Sequence, residues 1–415
     1  GYFLVMMYMM MMMNNNNYNI LINMLNNNYN ILMMKLNNLL LFNNNNNNNN
    51  NNITNNNNNN LNNNNNNNNN EMMNKDNNMN NNEMMNMDND KDNDKDNDNN
   101  LLNNNKDNNN KLRKSLLDLT NDDISKYNYE WDKTEFNFDK FYKEFKCYKP
   151  NDKLPSKEFL EWFIGYFEAD GCMTIPKNMN YSMIITSHKT NLFLLNYIKD
   201  NLMMGNVVKN SYKFNNYRWQ VYKQQDMKLL IHLFNGNMVL PVRYVKLSMF
   251  ISNINMKLLK NNEPIINIIN KCKLPRLDNS WLSGFTDGEG CFSVGKTQSF
   301  YRVIYNINQK YIANKYILDY ILNLLRELMN NNNLGGVYKH SSKNMYEMRI
   351  SSMKGCSKLR LYFDKHPLRS YKFLVYKNWL KFIDMAMNES LSKDIRKNKL
   401  MIMLNNIRNI SKMNK

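Results

Sequence analysis

The chain has 415 residues, a net charge of +18 and five cysteines. No apolar run approaches the roughly 20 residues that a membrane-spanning helix needs, and the cysteines form neither a CxxC pair nor a Cys/His zinc spacing. These properties argue against a stable membrane span in the folded part and against a structural zinc module. Because the cysteine number is odd, they also argue against a disulfide framework and indicate a reducing compartment.

Residues 1–110 are mostly Asn and Met, with five basic and ten acidic residues; this net of −5 leaves +23 for residues 111–415. Asn runs bury too little apolar surface to offset the entropy of ordering, so we predict a disordered low-complexity segment. The basic remainder indicates a polyanionic partner, usually nucleic acid. Asn and Met enrichment is also expected of an AT-rich gene read with a code in which ATA specifies Met. It therefore favours a mitochondrial origin, and we expect the protein in the matrix.

Residues 111–155 form a linker with several aromatic side chains, which we expect to pack on the folded part as an arm. Pro155 and Pro275 then each precede a similar stretch of sequence.

That similarity is an internal repeat, the most informative feature of the chain. Residues 159–175 align with residues 280–294, and the paired positions are Trp162 with Trp281, Gly165 with Gly284, Ala169 with Gly288, Asp170 with Glu289, Gly171 with Gly290, and Cys172 with Cys291. Further along, residues 184–191 resemble residues 305–312. Lys follows Pro by five residues in both copies, at Pro241/Lys246 and Pro367/Lys372.

Each copy is predicted to fold as helix, two strands, helix, two strands, helix, giving half-domains at residues 156–265 and 275–415. Period-two patterns predict strands at 172–175, 181–186, 217–222, 291–294, 301–307 and 345–350. Helical patterns cover 191–202, 225–234, 312–329 and 368–386.

The first helix of each copy carries two small residues four positions apart, Gly165 with Ala169 and Gly284 with Gly288. This spacing places both on one helix face, so the two helices can approach until their backbones nearly touch. A pseudo-twofold axis would then bring Asp170 and Glu289 together at the C-terminal ends of the helices.

Two carboxylates there repel each other and the negative end of each helix dipole. Their pairing therefore implies a bound cation, and oxygen ligands favour Mg²⁺ or Mn²⁺. Such an ion can activate water and stabilise the leaving oxygen of a phosphodiester.

Residues 163–171 and 282–290 resemble the LAGLIDADG motif of intron-encoded homing endonucleases and RNA maturases. The resemblance covers residues 156–390. It implies an α+β fold of two pseudo-symmetric αββαββα halves, with saddle-shaped antiparallel sheets that grip the major groove of DNA. It also implies that Asp170 and Glu289 bind metal, that Lys246 and Lys372 are peripheral active-site lysines, and that Gln309 orders water. His188 takes the position of Gln309 in the first half, which is a departure from the family pattern.

The strands of both halves alternate polar and basic side chains, a pattern suited to base-edge and phosphate contacts. The expected contacts are Lys213, Asn215, Tyr217, Arg218, Gln220 and Tyr222 in the first half and Tyr301, Arg302, Tyr338, Lys339 and Arg349 in the second.

Other residues of the repeat are assigned structural roles. Glu168 and Asp287 are expected to point away from the paired acids, and Trp162 and Trp281 to anchor the core. The paired cysteines, Cys172 and Cys291, are also expected in the core.

Two functions remain open. The first is a site-specific double-strand DNA endonuclease that initiates homing of its own intron. The second is a maturase that binds its group I intron RNA and assists splicing, with or without DNA cleavage and with a nuclear-encoded splicing cofactor as a further partner. Either would act as a monomer, because one chain carries both halves.

Overall fold

The computed structural model describes residues 119–175, 181–211, 215–297, 300–390 and 392–412. The predicted disorder of residues 1–110 and the predicted contact at Lys213 lie outside the described residues. Among the described residues, none of the helices has both the length and the apolar character needed to cross a bilayer.

The first half runs through α3 (Lys157–Asp170), β2 (Gly171–Thr174), β3 (Ser182–His188), α4 (Leu192–Leu202), β4 (Asn206–Ser211), β5 (Asn216–Val221), α5 (Gln224–Phe234) and α6 (Pro241–Lys260). It follows an arm of α1 (Asn121–Ser125), β1 (Glu130–Asp132) and α2 (Asp139–Tyr148). Strand β6 (Lys271–Lys273) links the halves.

The second half runs through α7 (Trp281–Glu289), β7 (Gly290–Lys296), β8 (Tyr301–Lys310), α8 (Ile312–Leu328), β9 (Gly336–Lys339), β10 (Met345–Ile350), α9 (Met353–Lys358), α10 (Arg360–Phe363) and α11 (Lys372–Met387), followed by α12 (Lys393–Lys412). The predicted αββαββα order is confirmed in both halves, with more than one helix after the last strand. The outer strands β4 and β9 were not located from the sequence.

Both halves contain the same four-stranded antiparallel sheet, ordered β2-β3-β5-β4 and β7-β8-β10-β9. Side chains alternate between a core face, which packs on the helices, and an open face. In β8, for example, Val303, Tyr305 and Ile307 are buried while Arg302 is exposed. The helices of each half therefore cover one face of its sheet and leave the other accessible.

The arm is bound to both halves and to the linker between them. Strand β1 pairs in parallel with β6, and the buried Lys273 ammonium binds the Asp132 carboxylate at 2.8 Å. Trp131 packs at a tilt against Tyr316 of the second half, with ring centroids 4.9 Å apart, and Asn137 exchanges hydrogen bonds with Asn237 of the first half. Residues 119–155 thus belong structurally to the same folded body as the two halves.

Candidate active site

Helices α3 and α7 form the interface between the halves, and the predicted small-residue faces meet there. A Cβ atom placed on Gly165 would overlap the carbonyl oxygen of Trp281, and one placed on Gly284 would overlap the carbonyl oxygen of Trp162. Only glycine permits this approach, so the predicted close contact of the two helix backbones is confirmed. Trp162 and Trp281 are fully buried beside it, as predicted.

The last residues of the two helices are Asp170 and Glu289, and each sheet begins directly after them. The Asp170 carboxylate leans across the interface, because a Cβ atom on Gly288 would lie only 3.4 Å from its Oδ2 atom. The paired acids therefore sit where the two helices and the two sheets converge.

Glu168 and Asp287 hold the interface together. Glu168 accepts the indole N–H of Trp281 at 2.7 Å and the backbone N–H groups of Val239 and Leu240, both at 2.8 Å. Asp287 accepts the indole N–H of Trp162 at 2.8 Å and the backbone N–H of Arg369 at 2.7 Å. These reciprocal contacts across the two halves confirm their structural role.

Basic side chains cap the C-terminal ends of both motif helices. Arg243 donates to the carbonyl oxygens of Glu168 and Gly171 at 2.6 Å and of Ala169 at 2.8 Å. Lys372 donates to the carbonyl oxygens of Thr286, at 3.3 Å, and Gly288. Cations here offset the negative end of each helix dipole and the charges of the acids.

Arg243, which sequence reasoning missed, therefore corresponds to Lys372, and the pairing of Lys246 with Lys372 is wrong. Pro241 is the first residue of α6, whereas Pro367 precedes α11, which begins at Lys372 itself. Equal spacing from proline consequently gives different positions on the two helices. Half-buried Lys246 lies one turn beyond Arg243 on the same face of α6.

The pairing of His188 with Gln309 is also wrong, by one residue. Gly171 lies opposite Ile185 in the first sheet and Gly290 opposite Ile307 in the second, so Ser187 corresponds to Gln309. A slip of one residue moves a side chain to the other face of a strand. His188 instead lies at the end of β3, where its Nδ1 accepts the backbone N–H of Thr190 at 3.4 Å.

The pKa values of both acids are shifted upward from their ordinary values. Loss of surrounding water, and then the nearby Asp170 charge, raise the pKa of Glu289 to about 7, while Arg243 and Lys372 oppose that rise. Asp170 keeps an exposed side, but the protein atoms crowded around it displace enough water to raise its pKa as well. Burial lowers the pKa of Lys372, against the attraction of Asp170. Burial makes the charged forms of both acids costly, and the Asp170 charge adds to that cost for Glu289. A cation between the two carboxylates would stabilise their charged forms.

The described residues contain no group of three or more His, Cys, Asp or Glu side chains able to hold a metal ion. The carboxylates that end the two motif helices are those of Asp170 and Glu289. This donor set fits Mg²⁺, which is typically bound by one or two carboxylates together with water and substrate phosphate oxygens.

Most of the predicted nucleic-acid contacts lie on the open faces. Six side chains do so: Arg218, Gln220 and Tyr222 on or just after β5, Arg302 on β8, Tyr338 on β9 and Arg349 on β10. Asn215 is exposed in the turn before β5, with a left-handed φ of 50°. Buried Glu347, which sequence reasoning missed, accepts hydrogen bonds from Asn306 at 2.9 Å and Arg349 at 3.1 Å and orders this part of the open face.

Three of the contact predictions are wrong about the face. Tyr301 packs edge-on against Phe382 of α11, and its hydroxyl is buried. Tyr217 lies opposite Ser187 and packs against the core, and Lys339 is exposed but shares the face of Tyr346, which also packs on the core. Sequence alternation alone does not reveal which of its two phases faces the helices.

The core prediction for the paired cysteines is also wrong. Cys291 is exposed on the open face of β7, and Cys172 is half-buried opposite Ile184 on the open face of β2. Each follows the buried glycine that starts its strand, so the alternation turns it away from the core.

A family model described as LAGLIDADG endonuclease matches residues 163–254 and 282–383. These two segments are LAGLIDADG domains. The matches end within α6 and within α11, so the arm and α12 lie outside them.

Similar proteins include the probable intron-encoded endonuclease 4 of Neurospora crassa, 32% identical over 244 residues, 57% of this chain and 42% of the relative. The chain thus spans less than half of that relative. The intron-encoded DNA endonuclease aI3 of Saccharomyces cerevisiae is 25% identical over 58% of this chain and 67% of its own length. The probable intron-encoded endonuclease Cox1-I1b of Schizosaccharomyces pombe is 27% identical, over 59% and 68%.

Solved structures of similar proteins include the LAGLIDADG meganuclease I-AabMI bound to uncleaved DNA, with a TM-score of 0.46, 21% identity, and coverage of 59% of this chain and 98% of that chain. The meganuclease I-SmaMI bound to uncleaveable DNA has a TM-score of 0.48, 15% identity, and coverage of 60% and 99%.

Proposed function

We propose that this LAGLIDADG protein is an intron-encoded, site-specific DNA endonuclease that hydrolyses both strands of its target with Mg²⁺ or Mn²⁺ held by Asp170 and Glu289. The observation that carries the proposal is the convergence of these two acids at the ends of abutting helices, between two accessible sheet faces. The names of the relatives from Neurospora crassa and Saccharomyces cerevisiae support it.

When bound, the metal would lower the pKa of a water molecule and neutralise charge on the scissile phosphate. The two carboxylates would hold the cation. Because pseudo-symmetry relates them, each would serve one of the two DNA strands. Lys372 donates to the carbonyl oxygens of Thr286 and Gly288, in the last turn of α7 beside Glu289. Arg243 binds the equivalent turn of α3 beside Asp170. Both keep positive charge beside a phosphate that becomes more negative during hydrolysis.

The open faces would place the DNA. Arg218, Arg302 and Arg349 supply positive charge, and Gln220 supplies an amide that can read a base edge. The site lies where the two sheets begin, so a duplex on both open faces would cross the paired acids at its centre.

The test is cleavage of a duplex that spans the intronless exon junction flanking the reading frame, by the purified full chain in Mg²⁺ or Mn²⁺. We expect one double-strand cut near the junction, and none in the duplex interrupted by the intron. Specific binding without any cut in either metal would overturn the proposal.

The second candidate function is that of a group I intron maturase, and α12 is the observation that favours it. This helix packs on α11 beyond the family match and exposes Lys393, Lys397, Lys399 and Arg408. A basic surface outside the sheets could bind RNA while the sheets bind DNA. Stimulated splicing of the precursor RNA by the purified protein, alone or with a nuclear-encoded splicing cofactor, would establish this activity.

We further propose that the protein acts as a monomer in the mitochondrial matrix. One chain supplies both acids and both sheets, so the site needs no second copy. The Met- and Asn-rich composition supports the location, and the Schizosaccharomyces pombe relative carries Cox1 in its name. Fractionation of the host's mitochondria tests the location, and light scattering of the protein–DNA complex tests the stoichiometry.

A further inference from the structure

The two acids of the site differ in length, and so do the side chains that approach them. The Gln309 side chain interacts with the Glu289 carboxylate and favours its charged form. Gln309 in turn accepts a hydrogen bond from Nδ2 of Asn314 at 3.0 Å, and both are buried. The longer acid is thus reached directly from β8.

The first half has shorter side chains at both positions. Asp170 is one methylene shorter than Glu289, and Ser187 stands where the second half has Gln309. Tyr166 lies in the remaining gap, where its hydroxyl interacts electrostatically with both the Asp170 carboxylate and the Ser187 hydroxyl. Tyr166 and Asp170 are four residues apart on α3 and therefore share a helix face.

The second half lacks an equivalent hydroxyl, because Gln309 reaches Glu289 directly. Phe285 is the repeat partner of Tyr166, and the two rings occupy equivalent places. Tyr166 stacks on Trp162 with centroids 5.1 Å apart, and Phe285 stacks on Trp281 at 4.9 Å. A Phe ring would pack equally well at both positions. The Tyr166 hydroxyl is therefore not needed for packing and serves a polar interaction.

Both sets of contacts begin at an asparagine that is hydrogen-bonded to the opposite half. Asn191 donates to Ser187 at 3.1 Å and accepts the backbone N–H of Tyr371 at 3.1 Å. Asn314 donates to Gln309 and accepts the backbone N–H of Val242 at 3.5 Å. Tyr371 directly precedes Lys372, and Val242 directly precedes Arg243, so each chain is tied to the helix that carries a basic residue of the site.

We propose that Asn191, Ser187 and Tyr166 form a positioning chain that orients the Asp170 carboxylate toward the metal, as Asn314 and Gln309 orient Glu289. Asn191 donates to Ser187, and Ser187 and Tyr166 would each pass a hydrogen bond on toward the Asp170 carboxylate. Chains of this kind strengthen their members cooperatively. The chain rests on the proposed function, because it acts only through the metal site. Tyr166 touches no substrate and is a positioning residue.

The test compares Tyr166→Phe with Tyr305→Phe in the full chain. Tyr305 is a matched control, because it is also fully buried and its hydroxyl binds Thr286 at 2.8 Å, outside the positioning chain. With each DNA strand labelled separately, we expect Tyr166→Phe to cut one strand at least about tenfold more slowly than the other. Nicked duplex then accumulates, whereas Tyr305→Phe cuts both strands at similar rates.

A second readout is independent of cleavage. Mn²⁺ binding, measured by electron paramagnetic resonance, should weaken severalfold in Tyr166→Phe and stay at the wild-type value in Tyr305→Phe. Ser187→Ala, which leaves the Tyr166 ring in place, should show the same strand bias more weakly. This variant keeps the test valid if Tyr166→Phe fails to fold.

Equal strand rates together with unchanged Mn²⁺ affinity in both Tyr166→Phe and Ser187→Ala would overturn the positioning chain. The same strand bias in Tyr305→Phe would do so too, because it would reveal a general packing effect. If the wild-type protein binds Mn²⁺ but cuts no DNA, the endonuclease proposal fails while the Mn²⁺ affinities still decide the positioning chain.

Discussion

The carboxylate of Glu168, in the first motif helix, accepts the indole N–H of Trp281 from the second at 2.7 Å. The reverse contact, from Trp162 to Asp287, measures 2.8 Å. Each half thus completes the hydrogen bonding of the other's buried tryptophan. The acid two residues before Asp170 and the acid two residues before Glu289 are therefore structural elements of the interface.

Glu168→Ala is expected to lower the free energy of unfolding by about 3 kcal/mol or more. It leaves the Trp281 indole and two backbone N–H groups buried without acceptors, at roughly 1–3 kcal/mol for each unsatisfied group. Chemical denaturation measures the loss. Glu327→Ala, at an exposed position of α8, is the control and should change stability by less than about 0.5 kcal/mol. Equal losses in the two variants would contradict the interface role.

Gly165→Ala is expected to disrupt the pairing of α3 with α7. Its Cβ would overlap the Trp281 carbonyl oxygen, a clash with backbone that cannot move without separating the helices. Overpacking of this kind costs about 1–3 kcal/mol or more, so thermal unfolding should shift down by several degrees. Gly295→Ala provides the control, since its Cβ would meet only the Arg302 carbonyl oxygen at 3.8 Å. An unshifted midpoint for Gly165→Ala would refute the close approach.

Asp170→Asn and Glu289→Gln are each expected to abolish metal-dependent cleavage while DNA affinity in Ca²⁺ stays within about threefold of wild type. The substitutions keep shape but remove the charge that holds the cation. Chelation by EDTA should stop wild-type cleavage and added Mg²⁺ should restore it. Full cutting by both variants would remove these acids from the proposed mechanism.

Substitutions at the neighbouring residues Arg302 and Tyr301 should have different effects on DNA affinity, measured by titration. Arg302 is exposed on the open face, so Arg302→Ala should weaken binding by about 1–3 kcal/mol, which is roughly five- to 150-fold. Tyr301 packs toward α11, so Tyr301→Phe should leave the affinity unchanged. A loss confined to Tyr301→Phe would mean that the faces of β8 are reversed.

Acid should loosen the arm through Asp132. Desolvation acts to raise the pKa of this carboxyl, but hydrogen bonds from Lys273 and Thr134 outweigh it and lower the pKa from 3.8 to about 2. Because the folded pKa is below the unfolded one, this stabilisation is complete above pH 3.8 and is lost as the pH falls toward 2. The loss is about 2 kcal/mol. Denaturation between pH 2 and 5 should be less steeply pH-dependent in Asp132→Asn than in wild type, and identical slopes would contradict this contribution.

The local sequence carries enough information to predict the repeat, the order of elements and the paired acids. Gly165 and Gly284 recur at the same distance before Asp170 and Glu289, and helical periodicity alone places such residues on one face. The outer strands β4 and β9 escaped prediction because neither alternates apolar and polar residues along its length. Both lie at sheet edges, where such alternation is not required.

Which side chains converge on the acids was decided by the tertiary structure. Alternation along β3, β5 and β8 predicts two faces but not which face meets the helices, so Tyr217, Tyr301 and His188 were misplaced by register. Arg243 was missed because its partners are backbone carbonyl oxygens, which leave no trace in the sequence. The motif helices and their acids follow from local spacing, whereas the chain from Asn191 through Ser187 to Tyr166 exists only because strand register and the packing of the two halves bring distant residues together.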